Sequence, residues 1–244
     1  CAIANQVRGA VSGFASNFML AMNPQIVKTY AGGELDQTKI LMARGGLLSF
    51  ALMWLFALPL MLEVEFVLDI WLDDVPEYTA PYVVMALIFS LIQTLYSSVN
   101  IGIHATGRIK GLSFIGGSML MAGVLISYVM MRFVDNLLIP FMVNILIVAA
   151  SAIVNLYLLR HEMSEFDVRS YIKDVYLKSF MIILVTLPLP LALHLVLGHG
   201  IVSSLLVISV SVLCVSAALY FMVLSVSERK SLNEAVRNKL RKNA

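Results

Sequence analysis

Charged residues are scarce in this chain. Lysine, arginine, aspartate and glutamate make up 13% of its 244 residues, and apolar residues make up 60%. Soluble domains have about 25% charged and about 45–50% apolar residues. The apolar residues here come in runs of about twenty, the length that crosses the hydrocarbon core of a bilayer as a helix. The composition therefore argues against an ordinary soluble domain and predicts a polytopic membrane protein.

Cysteine is almost absent as well. The two cysteines, Cys1 and Cys214, support neither a disulfide framework nor a metal site. The chain begins at Cys1 without a methionine or a signal peptide, and we expect that an N-terminal part of the protein precedes it. An acylated Cys1 is the less favoured alternative, because the chain continues directly into a spanning segment without a tether.

The sequence also lacks the common catalytic patterns. It has no His/Asp/Glu cluster with metal-ligand spacing, no Ser-His-Asp arrangement and no phosphate-binding glycine loop. No carboxylate lies in the middle of an apolar run, so the chain offers none for a proton or sodium relay. The nearest are Glu63 and Glu65, at the outer edge of the second run, and we interpret Asp73 and Asp74 as an ordinary acidic loop. We expect no enzymatic activity, no metal and no cofactor.

Seven apolar runs predict the fold class, an all-α polytopic bundle of about seven transmembrane helices. Each run is close to the ~20 residues that span a bilayer. Three prolines lie inside these runs and predict helix kinks there, Pro59, Pro188 and Pro190. The predicted spans are 2–24, 46–68, 82–104, 113–131, 139–159, 178–197 and 201–224.

The basic residues lie on one side of the predicted membrane. Fifteen of the 17 lysines and arginines fall in alternate connections and in the tail. Of the other two, Arg132 lies in a connection on the opposite side and Arg8 lies inside the first run. The positive-inside rule therefore places residue 1 outside and Ala244 in the cytoplasm. An odd number of spans requires the same arrangement.

Two further helices are predicted outside the spans. In residues 160–177 an apolar stripe follows Ser164 and Asp167, which predicts a helix on the inner leaflet. Its members are Val168, Tyr171, Ile172, Val175 and Tyr176. In the basic tail, 225–244, Ser231 and Glu234 form a capping-box pattern. Leu232, Val236 and Leu240 would lie on one face of that helix, which would contact anionic lipid or remain solvated.

The first run, within residues 2–33, carries an unusual polar face. Residues three and four apart share a helix face, which groups Asn5, Arg8, Ser12 and Ser16. An arginine at the centre of a span costs about 2.5–3.5 kcal/mol and therefore normally faces protein or a wet cavity. Alternatively, Arg8 extends to the outer interface. Asn23 and Pro24 are predicted to end this helix.

Two later spans carry similar polar faces. The third groups Gln93, Ser97, Asn100 and His104, and the fifth groups Asn144, Ser151 and Asn155. The last two spans have few polar residues, and we assign no role to His194. We predict that early spans line a polar interior and that late spans face lipid. Alternatively, each amide only forms a hydrogen bond to a neighbouring helix, and such a bond contributes about 0.6 kcal/mol to stability on average.

Several motifs resemble those of bacterial polysaccharide flippases, the O-antigen and capsule repeat-unit transporters. These belong to the multidrug/oligosaccharidyl-lipid/polysaccharide exporter superfamily. The resemblance is clear to about residue 160 and looser beyond, and it indicates the superfamily better than the substrate. The motifs are AIANQVR at 2–8, NPQIVK at 23–28, YAGGE at 30–34, LDIWL at 68–72 and PEY at 76–78.

The resemblance implies a two-lobe transporter in which two sets of six helices face each other across a central cavity. Residues 1–159 would be five spans of the C-terminal lobe, and 178–224 would be the two extra spans of fourteen-helix members. The N-terminal lobe would be missing from this chain. The implied activity is alternating-access transfer of undecaprenyl-diphosphate-linked oligosaccharide across the bacterial cytoplasmic membrane. Membrane lipids, but no nucleic acid, are the other expected partners.

The resemblance and the polar faces together suggest a substrate site. Arg8 is the only basic residue deep in a span and would attract the diphosphate. Amides and hydroxyls would bind the sugars, from Asn5, Ser12, Ser16, Gln93, Asn100 and Asn144. Three cations would line the cytoplasmic entrance, namely Lys28, Arg44 and Arg108.

Three alternative functions stay open at this point. A cation-coupled multidrug or small-molecule exporter of the same superfamily would need an acidic residue inside a span. A membrane-embedded glycan polymerase or acyltransferase would need a catalytic cluster, commonly on a large outer loop. The outer loops here are short, which argues against that enzyme. A purely structural membrane subunit is the third alternative.

Overall fold

The computed structural model describes residues 2–198, 200–225, 228–230 and 233–234. These residues form helices joined by short turns and contain no strand. The helices are α1 (Ala2–Ala31), α2 (Leu35–Leu62), α3 (Val64–Trp71), α4 (Thr79–Ala105), α5 (Lys110–Met131), α6 (Ile139–Glu162), α7 (Val168–Tyr171), α8 (Lys178–Thr186), α9 (Pro188–Leu197) and α10 (Ile201–Ala218). Two π-helical segments are named π1 (Ile172–Leu177) and π2 (Leu219–Val223).

The prediction of an all-helical membrane bundle is confirmed. Among the described residues, six helical segments are long and apolar enough to cross a membrane, as in a multi-pass membrane protein. The six are Leu35–Leu62, Thr79–Ala105, Lys110–Met131, Ile139–Glu162, Val168–Leu197 and Ile201–Val223. Helix α1 is not among them, because its polar side chains lower its hydropathy. The seventh crossing stays a prediction.

Helices α1, α2 and α4 pack against one another and form the centre of the bundle. On one side α6 packs on α4, and α5 packs on α6. On the other side α8, α9 and α10 pack on α2. One buried cluster contains Phe50, Trp54 and Leu87, and a second contains Met42 and Ile103. The peripheral α5 has only Gly123 buried, as a lipid-facing helix would.

The prediction that Asn23 and Pro24 end the first helix is wrong, because α1 continues to Ala31. A proline inside a helix removes one N–H donor and crowds the carbonyl four residues earlier, which destabilises the helix without always ending it. Pro24 is exposed, so its ring lies outside the packed face of α1. The turn to α2 comes instead at Gly32 and Gly33. Gly33 has φ 76°, a conformation that glycine adopts readily.

The predicted interfacial helix at 160–177 is divided differently in the structure. Helix α6 runs to Glu162, and α7 begins after Asp167, whose carboxylate accepts a hydrogen bond from the Arg169 N–H at 2.9 Å. Asp167 caps α7 in place of Ser164, since its carboxylate reaches that donor. Helices α7 and α8 are continuous through π1, so this segment begins the spanning-capable helix Val168–Leu197. Its surface location stays a prediction.

Some predictions fall outside the described residues. They concern Cys1 and the tail positions Ser231, Leu232, Val236 and Leu240. Glu234 is described as helical, and Asn233 beside it donates a hydrogen bond to the Tyr220 hydroxyl at 2.9 Å.

Two polar contacts attach the last helices to α2. The buried Trp54 indole N–H donates to the Thr186 hydroxyl at 2.8 Å. The His194 imidazole lies 2.8 Å from the Glu63 carboxylate, at the break between α2 and α3. Each contact joins residues more than a hundred positions apart. The structure therefore gives His194 a contact that the sequence did not predict.

A close approach between α2, α4 and α7 occurs at Gly46. A Cβ atom at Gly46 would lie 2.8 Å from the Tyr171 hydroxyl and 3.0 Å from the Ser98 hydroxyl. The two hydroxyls are hydrogen-bonded to each other at 2.6 Å, and the Tyr171 hydroxyl also donates to the Leu95 carbonyl at 3.1 Å. Tyr171 therefore cannot move aside without breaking buried hydrogen bonds.

We expect the Gly46→Ala variant to lose about 1–3 kcal/mol of unfolding free energy, the usual cost of overpacking a core. Thermal unfolding in detergent measures the loss. Gly116→Ala is the matched control, because a Cβ there meets no atom within 4 Å and alanine favours the helix. Equal stability of the two variants would contradict the close packing at Gly46.

Candidate functional site

A polar groove lies between α1 and α4, with α2 beneath it. The cavity has a volume of about 410 Å³, and none of the described residues that line it is charged. Most lining residues carry a hydroxyl or an amide, and four are apolar, Ala15, Met19, Leu20 and Ile101. The polar ones are Ser12, Ser16, Asn23, Ser49, Ser90, Gln93, Thr94, Tyr96, Ser97 and Asn100. We call this cavity the polar groove.

Helical periodicity and small side chains explain the polar groove. Ser12, Ala15 and Ser16 lie on one face of α1, three and four residues apart. Gln93 and Ser97 share a face of α4 in the same way. Because serine and alanine are small, the two helices pack along the groove without filling it. The sequence therefore forms a concave polar surface inside an otherwise apolar bundle.

Several groups in the polar groove have unused hydrogen-bonding capacity. Thr94 and Ser97 donate to carbonyls of their own helix, at 2.7 and 2.9 Å. In contrast, six groove side chains make no hydrogen bond to any described residue, those of Ser12, Ser16, Asn23, Ser90, Gln93 and Tyr96. The buried Ser49 hydroxyl also has no partner among the described residues. These groups need water or a ligand, because unsatisfied polar groups are costly at membrane depth.

Asn100 connects the polar groove to α6. Its side-chain oxygen accepts a hydrogen bond from the Asn155 amide at 2.9 Å. Asn155 is only 7% exposed, so the pair is largely shielded from solvent. The Asn100 NH₂ group makes no hydrogen bond to a described residue. Asn155 thus positions Asn100 and leaves the Asn100 NH₂ group available to a ligand.

Arg8 lies one helical turn beyond Ser12, outside the lining of the polar groove. It is half-buried, and its guanidinium carbon lies 5.5 Å from the centre of the Phe89 ring on α4. No carboxylate of the described residues lies within 4 Å of it. Arg8 is therefore a cation without an ionic partner in the described chain. Asn5 is exposed one turn further along α1.

The other predicted site residues are dispersed. Asn144 is exposed on α6 and does not line the polar groove, whereas Asn155 on the same helix reaches it through Asn100. The three predicted entrance cations do not line the groove either. Lys28 is exposed near the end of α1, and Arg108 lies 3.6 Å from Glu162. Arg44 lines a different cavity.

Sequence reasoning placed Ser12, Ser16, Gln93 and Asn100 correctly on groove-facing sides of their helices, but it missed other lining residues. Asn23 follows Ser16 by seven residues and so lies on the same face of α1. The predicted helix end at Asn23 and Pro24 excludes it from the predicted polar face. Ser90 precedes Gln93 by three residues and could have been found by the same rule. Ser49 could not, because its position depends on how α2 packs.

No family model, no curated protein and no solved structure matches the chain. The resemblance to polysaccharide flippases therefore depends on the sequence motifs.

Proposed function

We propose that this chain forms one substrate-binding lobe of a transporter for undecaprenyl-diphosphate-linked oligosaccharides. The observation that supports this proposal best is the polar groove, uncharged and rich in unpaired hydroxyls and amides, with Arg8 one turn beyond it. Sugar hydroxyls both donate and accept hydrogen bonds, as serine, asparagine and glutamine side chains do. A guanidinium suits a diphosphate, because its planar fork binds phosphate oxygens in pairs.

The groove residues take distinct roles in this proposal. Gln93 and Asn100 on α4, with Ser12 and Ser16 on α1, bind the glycan. Arg8 attracts the diphosphate without first breaking a salt bridge to a described residue, which would otherwise compete with the substrate. Asn144 takes no part, since it is exposed elsewhere on α6.

The proposal includes α1 as a seventh crossing. Its 30 residues extend about 45 Å at 1.5 Å per residue, enough to cross a bilayer. It packs against α2 and α4, both long enough and apolar enough to span. With seven crossings, the distribution of basic residues places residue 1 outside the bacterial cytoplasmic membrane and the C-terminus in the cytoplasm.

A second lobe completes the proposed transporter. Asn5, Gln6, Ser16 and Asn17 are exposed on α1. Such side chains are unfavourable against acyl chains and favourable beside protein or water. A facing N-terminal lobe, which the resemblance implies, would enclose this surface and form a central cavity. Rocking of the two lobes would then expose the groove to each side in turn.

A cation-coupled exporter of small molecules receives less support. Such an exporter needs a carboxylate at its binding site, and the described residues that line the polar groove include none. The closest feature is Glu63, which is paired with His194 in a different cavity. No observation on the polar groove favours this second function.

Deletion of the gene in its own bacterium tests the proposal. We expect undecaprenyl-linked oligosaccharide to accumulate in the membrane and surface polysaccharide to disappear, with both restored by a plasmid copy. Lipid extraction with mass spectrometry and glycan staining measure the two quantities. Normal surface glycan in the deletion strain, together with increased sensitivity to small toxic cations, would instead indicate the exporter.

A further inference from the structure

A second cavity lies on another side of α2, away from the polar groove. Its volume is about 440 Å³, and its walls come from the start of α2, from α7 and π1, and from π2. Three cations among the described residues line it, Lys39, Arg44 and Lys178. We call it the basic cavity. Arg44 was expected at the substrate entrance, and the structure places it here instead.

Two rare helical segments form the walls of the basic cavity. Well under 1% of residues in proteins are π-helical, and short π segments occur frequently at functional sites. Asp174 of π1 and both Met222 and Val223 of π2 line this one cavity. Beside it, the Arg229 guanidinium donates to the Phe221 and Leu224 carbonyls, at 2.6 and 3.0 Å. Both irregular helix segments thus meet at the same site.

The cations of the basic cavity have only weak partners. Lys39 lies 3.1 Å from Asp36, whose side chain is 94% exposed, and Arg44 lies 3.9 Å from Glu228. Lys178 has the shortest pair, 2.8 Å from the partly exposed Asp174. Exposed ion pairs contribute little to stability, so a phosphate group can compete for these cations. The carboxylates of Asp167 and Asp174 also line the cavity and limit its positive charge.

The basic cavity also has an apolar side. Leu47 and Met222 line it. Beyond its cationic edge, Leu177, Phe180 and Phe221 are exposed apolar side chains on the helices that form its walls. A ligand with a phosphate head and hydrocarbon chains fits this arrangement better than a wholly water-soluble phosphate. All three cations belong to the side that the charge distribution assigns to the cytoplasm.

We propose that the basic cavity binds the phosphate headgroup of an anionic phospholipid of the inner leaflet. Lys39, Arg44 and Lys178 contact the phosphate, and the acyl chains lie along the exposed apolar residues of α8 and π2. The lipid thereby joins the last helices to α2. This inference depends on the proposed membrane orientation but not on transport of a glycan.

Lipid titration of the purified intact protein tests this inference. Native mass spectrometry counts bound phosphatidylglycerol against phosphatidylcholine, and thermal unfolding in each lipid measures stabilisation. We expect phosphatidylglycerol to bind more tightly and to raise the unfolding temperature. Inorganic phosphate and glycerol 3-phosphate form the second arm. If either stabilises the protein as much as phosphatidylglycerol does, the ligand is a free phosphate and the lipid proposal is wrong.

Substitutions in the basic cavity test whether phosphatidylglycerol binds there. We expect Arg44→Gln and Lys178→Gln each to weaken phosphatidylglycerol binding by about fivefold, the effect of one basic side chain near a charged lipid. Asp174→Asn should strengthen binding, because it removes a competing carboxylate. If the Lys178–Asp174 ion pair has only a structural role, Asp174→Asn should not strengthen phosphatidylglycerol binding.

Lys173→Gln is the matched control, since Lys173 lies on π1 but outside the cavity lining. A loss with Lys173→Gln equal to that of the cavity variants would overturn the site. Unchanged binding in Asp174→Asn would overturn it too, and that variant stays informative if Arg44→Gln or Lys178→Gln fails to fold. Glycan accumulation in the deletion strain is measured separately, so failure here and failure of the transport proposal are distinguishable.

Discussion

The Arg8→Gln variant of the intact protein is expected to export about 10- to 100-fold less glycan than the wild type. Hydrogen bonds to charged groups contribute about 1.5–3 kcal/mol, which converts to a change of this size. Arg8 has no carboxylate partner among the described residues, so its loss should cost little stability. Surface polysaccharide, normalised to the amount of folded protein in the membrane, measures the effect.

Two controls accompany the Arg8→Gln variant. Arg8→Lys keeps the charge but loses the planar fork, so we expect intermediate export. Arg132→Gln removes an exposed cation at the end of α5, beyond the groove, and should export normally. If Arg8→Gln exports as well as Arg132→Gln does, Arg8 does not bind the diphosphate.

The Ser16→Trp variant is expected to abolish export while the protein stays folded. Ser16 lines the polar groove and is exposed, so an indole there occupies groove volume without displacing core side chains. The cavity of about 410 Å³ would lose much of the space that a sugar needs. Membrane abundance and thermal unfolding, measured beside export, separate blockage from misfolding.

Val124→Trp is the matched control for the blocked groove. Val124 lies on α5, is 67% exposed and does not line the polar groove, and α5 packs mainly on α6. We expect this variant to export normally, since its side chain lies outside the lining of the polar groove. Normal export by a folded Ser16→Trp protein would show that the polar groove is not on the substrate path.

Apolar run length predicted the helical bundle well, because membrane spanning constrains each helix independently of its neighbours. Helix ends were harder to predict. Asn23 and Pro24 predict a helix end, yet α1 continues through them to Ala31, because a proline weakens a helix without always ending it. Asp167 caps α7 in place of Ser164, because its carboxylate reaches the free Arg169 N–H at the start of that helix.

The polar faces predicted part of the groove. Ser12 and Ser16 on α1, and Gln93 and Asn100 on α4, follow from helical periodicity. Periodicity does not say which neighbour covers a face. Arg44 therefore lies in the basic cavity rather than at the groove, and Asn144 is exposed although it shares a helix with Asn155. Packing of α2 and α6 against their neighbours decides both positions.

The central claim is that the face shared by α1 and α4 is hydrated within the membrane. Labelling of single cysteines by a membrane-impermeant maleimide in opened membrane vesicles tests it, in a background carrying Cys1→Ser and Cys214→Ser. We predict that Ser12→Cys and Ser16→Cys react at rates close to a loop position, while Leu120→Cys and Val124→Cys on α5 stay unlabelled. Ser16→Cys reacting no faster than Val124→Cys would contradict the account.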